Sequence, residues 1–218
     1  MMQDQWKLVI FDCDGVLVDS EPISCGVVAE LSTELGHPMS ALEGLQTFAG
    51  TSMNFVTQFI EAKIGKKIPY PFEEEYRRRT YQAFQKHLEP VEGVKSALEK
   101  IQLQKCVASN GPLEKVKSNL SITGLRPFFP DYLFSAYDIQ RWKPDPALFL
   151  YAAKTVGISP QECIVVEDSI HGVEAAIAAG MDVLGFPGTT SAEILQKAGA
   201  KILPSMDLLP SILQKKRV

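Results

Sequence analysis

The chain reads as an α/β protein: a parallel-sheet core carrying an inserted, small all-helical cap domain. Three observations predict this. An apolar run, Leu8-Val9-Ile10-Phe11, ends in Asp12-Cys13-Asp14-Gly15, as a buried strand running into a sharp turn would. From about residue 90 onward, short apolar runs alternate with helical stretches of about ten residues, the pattern of parallel strands joined by crossover helices. Between these regions, over 21–88, apolar positions recur only at helical spacing. The expected division is therefore 1–19 with 90–218 as the core and 20–89 as the cap.

The helical stretch is marked by Val27, Val28, Leu31 and Leu35, then Phe55, Phe59, Ile60 and Ile64, then Tyr76, Tyr81, Phe84 and Leu88. Gly36-His37-Pro38, Ala49-Gly50-Thr51 and Ile68-Pro69-Tyr70-Pro71 punctuate it into three or four helices. The charged run Glu73-Glu74-Glu75-Tyr76-Arg77-Arg78-Arg79 reads as a solvated helix face with internal ion pairs. In the core, 93–102 is helical and 105–108 a strand that ends in Ser109-Asn110-Gly111. Pro112 opens a helix to about 122. A strand over 132–134, a helix over 146–156 closed by Gly157, and a strand over 163–166 ending in Glu167-Asp168-Ser169 follow. The remainder reads as a helix over 170–179 with Gly180 at its end, a strand over 182–186, a helix over 191–198, a strand over 201–203 and a closing helix from about 206.

Composition narrows the function classes. The 218 residues are 45% apolar with mixed charges, which suits a soluble globular chain. A net charge of −4 without a basic stripe argues against nucleic acid, and Lys215-Lys216-Arg217-Val218 reads as a solvated tail. The N-terminal residues lack the pattern of a secretory leader, and no apolar run reaches the ~20 residues of a membrane helix. Cys13, Cys25, Cys106 and Cys163 show no CxxC spacing and read as small buried thiols. The expectation is a cytoplasmic protein, monomeric or weakly dimeric, with no membrane partner.

Three strand ends carry polar clusters: Asp12 and Asp14, Ser109 and Asn110, Glu167 and Asp168. Lys143 sits in the loop Arg141-Trp142-Lys143-Pro144-Asp145-Pro146. In a parallel sheet these ends face the same way, so neighbouring strands would gather them in one pocket. Four carboxylates together need a cation, and hard oxygen ligands suit Mg²⁺. A lysine, a hydroxyl, an amide and helix N-termini suit a phosphate. Together they suggest phosphoryl transfer through an aspartyl-phosphate. A GxxxxGK[ST] loop, a strand-to-helix GxGxxG and a GxSxG elbow are all absent.

The motif Asp12-Cys13-Asp14-Gly15-Val16-Leu17-Val18-Asp19-Ser20, with Ser109, Lys143 and Glu167-Asp168-Ser169-Ile170-His171-Gly172 in order, resembles the haloacid dehalogenase superfamily on its phosphatase side. The resemblance covers nearly the whole chain and implies a Rossmann-like core. It implies Asp12 as nucleophile and Asp14 as acid and base. Ser109 and Lys143 would hold the phosphoryl group, with Asn110 and Gly111 adding an amide and an N–H. Mg²⁺ would be held by Asp12, the Asp14 carbonyl and Asp168, with Glu167 direct or through water. Within the superfamily, Asp14 favours phosphate chemistry over dehalogenation. Ser24 stands where the β-phosphoglucomutase branch usually has a hinge histidine, and Thr51 follows Gly50 where an arginine is common, which favours a phosphatase over a mutase. Ser109-Asn110-Gly111-Pro112 and the Lys143 loop resemble phosphatases of sugar-acid phosphates such as 6-phosphogluconate. Selectivity is expected from Glu21, Ser24, Gly50, Thr51 and Ser52. A non-catalytic metal- or phosphate-binding regulator is the alternative from another class; all four motifs being intact speaks against it. Arg141 and Trp142 either bind substrate or brace the loop.

Overall fold

The structure is a computed structural model describing residues 6–214; the readings for residues 1–5 and the tail 215–218 lie outside it. The chain divides into two compact units, 1–18 with 90–218 and 19–89.

The first unit is built on six parallel strands: β1 (Leu8–Phe11), β2 (Gln104–Ser109), β3 (Leu133–Ser135), β4 (Cys163–Glu167), β5 (Asp182–Gly185) and β6 (Lys201–Ile202). Their order across the sheet is β3-β2-β1-β4-β5-β6, so the fold is a Rossmann-like α/β one. β1 is central, pairing Phe11 with Val107 of β2 and with Val166 of β4. It is wholly buried, as is β4. Strands covered on both faces read as unbroken apolar runs rather than alternating ones. The two-residue β6 and three-residue β3 stand at the edges, where short strands limit edge-to-edge pairing.

The order reverses between β2-β1 and β4-β5. In open α/β sheets such a switch point opens a crevice at the carboxyl ends of the strands. Asp12 and Glu167 stand at the ends of the two strands that flank it.

The turn after β1 closes on itself. Val18 N–H donates to Cys13 O at 3.1 Å, and Gly15 N–H to Val18 O at 2.9 Å. Gly15 has φ +76°, a left-handed conformation that glycine adopts without a Cβ clash. Beyond it, Val18 bridges to Pro90 and Val91 N–H donates to Leu17 O at 3.0 Å. The core chain is thereby rejoined on either side of the 19–89 insertion.

The second unit contains four helices: α1 (Glu21–Glu34), α2 (Ala41–Phe48), α3 (Met53–Ile64) and α4 (Phe72–His87). Cys25, Val28, Leu31, Phe48, Val56, Ile60 and Phe72 form its own apolar centre. Ser40 and Glu43 make a reciprocal capping box at the start of α2. The charged run on α4 forms the expected internal pairs: Arg77 with Glu73, and Arg78 and Arg79 with Glu75. Arg79 also forks onto both oxygens of Glu34 on α1, at 2.6 and 2.8 Å. Hydrogen bonds from Arg78, then Arg79, hold the Glu75 carboxyl down at about 2.

The core helices are α5 (Val94–Lys100), α6 (Leu113–Ile122), α7 (Ala136–Ile139), α8 (Ala147–Val156), α9 (Ile170–Ala178), α10 (Ala192–Lys197) and α11 (Leu209–Gln214). All four cysteines are free and buried. No helix among the described residues is long and apolar enough to cross a membrane.

Candidate active site

The sheet brings the strand-end residues of the core together. Lys143 reaches beneath the end of β1: its Nζ lies 2.5 Å from Asp12 Oδ1 and 2.6 Å from Glu167 Oε1. The ammonium and the Glu167 carboxylate are 2% and 1% exposed, so neither charge has water to screen it. Such burial is tolerated only with close, hydrogen-bonded counter-charges. Burial alone would lower the Lys143 ammonium, but the charges of Asp12 and Glu167 and their hydrogen bonds raise it above the usual lysine value. Burial also pushes the Asp12 carboxyl up, to about 7, with Lys143 pulling down and Glu167 pushing up. One ammonium here faces two carboxylates, so the cluster holds one basic group against two acids.

Each member is held by its neighbours. The Lys143 backbone is gripped by Asn110: Lys143 N–H donates to Asn110 Oδ1 at 2.9 Å, and Asn110 Nδ2 donates to Lys143 O at 3.4 Å. Glu167 Oε2 accepts from Asp168 N, Ser169 N and Ser169 Oγ at 3.0, 3.0 and 2.9 Å. Its carboxylate fits under the first turn of α9 because residue 172 is glycine; a Cβ there would lie 1.8 Å from Glu167 Cδ. The Asp168 carboxylate packs in the same way against Gly15, where a Cβ would fall 2.0 Å from its Oδ2. Ser109, buried at the end of β2, accepts the Gly111 N–H on its Oγ at 3.0 Å.

Two of the expected ligand residues also hold Lys143. Asn110 bonds the Lys143 backbone through both its amide oxygen and its amide nitrogen, which sets the loop. Glu167 bonds the Lys143 ammonium through Oε1 and the turn into α9 through Oε2. The Asp14 carboxylate is ion-paired: its Oδ2 lies 2.8 Å from Lys115 Nζ. In the Lys143 loop, Arg141 pairs with Asp145 at 3.3 Å, and Trp142 stacks edge-on against Tyr137. Both contacts brace the loop.

Lys115 was not foreseen. It is the third residue of α6, where a cation opposes the helix dipole. A lysine in a first turn is the sequence signal that could have prompted a search for its partner.

Among the described residues, no group of three His, Cys, Asp or Glu side chains is arranged as a ready metal site. The oxygen donors expected for a metal are the Asp12 and Asp168 carboxylates, the Asp14 carbonyl and Glu167. Mg²⁺ typically takes one or two carboxylates, completing its shell with waters and substrate phosphate. A hard-oxygen donor set in a cluster short of positive charge fits that ion.

The residues expected to confer selectivity all lie in the helical unit and form local contacts there. Glu21 Oε1 accepts the Gly50 N–H at 3.1 Å, Thr51 Oγ1 donates to Phe48 O at 2.8 Å, and the Ser52 side chain caps α3. Ser24 is a half-buried residue of α1.

The chain is similar to known proteins along most of its length. Residues 6–180 match the family model of haloacid dehalogenase-like hydrolases. The chain is 38% identical over 181 residues to a 6-phosphogluconate phosphatase of Escherichia coli (strain K12), covering 83% of this chain and 82% of that one. It is 29% identical to a fructose-1-phosphate phosphatase of the same organism, over 84% of this chain and 97% of that one. Among solved structures, a haloacid dehalogenase-like protein of unknown function from Agrobacterium tumefaciens superposes with a TM-score of 0.85 at 35% identity, over 95% of this chain and 97% of that one. A putative beta-phosphoglucomutase from Thermotoga maritima gives 0.82 at 25% identity, over 95% and 98%.

Proposed function

Since the chain belongs to the haloacid dehalogenase-like hydrolase family, on its phosphatase side, we propose that it hydrolyses a small sugar or sugar-acid phosphate, such as 6-phosphogluconate, through an aspartyl-phosphate on Asp12. The observation that carries this reading is the Asp12 carboxylate at the switch point, engaged on one oxygen by the buried Lys143. The E. coli 6-phosphogluconate phosphatase among its relatives supports the substrate class.

In the first step an Asp12 oxygen attacks phosphorus, the bond from phosphorus to the ester oxygen breaks, and Asp14, entering the step protonated on the oxygen that does not face Lys115, gives the departing alcohol its proton. In the second, water attacks the phosphorus of phospho-Asp12, the bond to the Asp12 oxygen breaks, and Asp14 takes the water proton. Ser109 and Lys143 hold the phosphoryl oxygens, and Lys143 offsets charge on Asp12. Mg²⁺, held by the Asp12 and Asp168 carboxylates and the Asp14 carbonyl, would add positive charge beside the transferred group.

The test is phosphate release from a panel of sugar phosphates, sugar-acid phosphates, phosphoglycolate and nucleotides. The expected result is highest kcat/KM for a sugar-acid phosphate, with activity lost to EDTA and restored by Mg²⁺. Faster turnover of nucleotides or phosphoglycolate than of every sugar-acid phosphate would overturn the substrate class. Isomerised phosphosugar with little free phosphate would replace hydrolysis by a mutase reaction.

A further inference from the structure

The Lys115–Asp14 pair links two elements far apart in the chain, the turn after β1 and the first turn of α6, which follow neighbouring strands. The separation is 101 residues, so the contact is a product of the fold and not of local sequence. Its Nζ–Oδ2 distance is 2.8 Å, with the side chains 37% and 28% exposed. Gly111 explains how the lysine reaches its partner. A Cβ at residue 111 would lie 3.4 Å from Ser109 Oγ, 3.6 Å from Lys115 Cδ and 3.9 Å from Asp14 Oδ2. The lysine stem, the Asp14 carboxylate and the Ser109 hydroxyl therefore converge on one glycine at the end of β2.

Resting on the roles proposed above for Asp14, we propose that Lys115 is a positioning residue for this enzyme: its ammonium fixes the direction of the Asp14 carboxylate relative to the Ser109 phosphate subsite. Asp14 stands on a turn, and an aspartate there has two free side-chain torsions. Proton transfer needs its oxygen within hydrogen-bond reach of the ester oxygen or the attacking water. A displacement of about 1 Å can cost about 100-fold in rate. Lys143 cannot serve this purpose, because its ammonium is engaged by Asp12 and Glu167. Nor is a first-turn lysine explained by helix stability, since its charge opposes the dipole there.

The experiment is a double-mutant cycle on the full chain with 6-phosphogluconate, or with the best alkyl phosphate of the panel. Lys115→Met is expected to lower kcat by about 10- to 100-fold while KM stays within about threefold. Lys115→Arg, which keeps a cation on a long stem, is expected to recover most of that loss. In an Asp14→Asn background, Lys115→Met is expected to cost less than about twofold, because residues acting as a unit are non-additive. A loss of the same size in both backgrounds would overturn the proposal, since Lys115 would then act on substrate directly. A rise in kcat for Lys115→Met would overturn it too, making the pair a brake. If Asp14→Asn alone retains full turnover, the acid and base role assigned to Asp14 falls, and this inference with it. Loss of turnover in Asp14→Asn together with parental kcat in Lys115→Met would overturn this inference alone and leave the Asp14 role standing.

Discussion

Asp12→Asn is expected to lower kcat by about four orders of magnitude or more, the scale on which removing a catalytic nucleophile acts. The amide has the shape of the carboxylate but cannot form an acyl phosphate at neutral pH. Its fold should survive. Lys143 keeps Glu167 as a counter-charge at 2.6 Å, and the Asn Oδ1 can still accept from the ammonium. A stability change within about 1 kcal/mol is therefore expected, the net scale of one hydrogen bond. Steady-state phosphate release and a urea melt on the same preparation check both halves. Substantial turnover by a well-folded Asp12→Asn protein would remove the covalent mechanism.

Lys143→Met is expected to damage both stability and activity. The ammonium is the shared partner of Asp12 and Glu167, and its loss leaves two buried carboxylates without it. Breaking a buried ion pair from one side costs about 3–5 kcal/mol. The sign of the pH dependence follows from the direction of the carboxyl shifts. Burial already pushes Asp12 up to about 7 against the pull of Lys143, and without that pull it moves higher. A carboxyl whose folded pKa is raised favours the native state only while protonated. Stability is thus retained below the unfolded value of about 4 and lost as pH rises toward the folded value. The deficit of Lys143→Met against the parent should widen from about pH 4 to pH 7 in urea unfolding. A deficit that narrows over that range would contradict the electrostatic account.

The strands were legible because they are buried on both faces: Leu8–Phe11 and Cys163–Glu167 are apolar up to the acid that ends them. The sequence places a strand over 132–134, whereas β3 spans Leu133–Ser135, because Ser135 pairs with Ser109 in the ladder. The four-residue α7 left no periodic trace. It is started by the Ser135 side chain, which accepts the Tyr137 N–H. In the site, residue type and strand-end position marked which residues gather, but not how their bonds are shared. Asn110 and Glu167 have the chemistry of ligands, and the fold also uses them to hold Lys143. Lys115 carried only the weak signal of a first-turn lysine: its partner lies on another strand's turn, and an isolated lysine on a helix reads as surface.

The most direct measurement is an acid quench of the enzyme during turnover of a substrate carrying labelled phosphorus. The expected result is label bound to the protein, released by hydroxylamine as an acyl phosphate is, mapping to Asp12 in peptide digests and absent from Asp12→Asn. A rapidly quenched, fully active enzyme that carries no label at any time point, or carries it on another residue, would contradict an aspartyl-phosphate at this site.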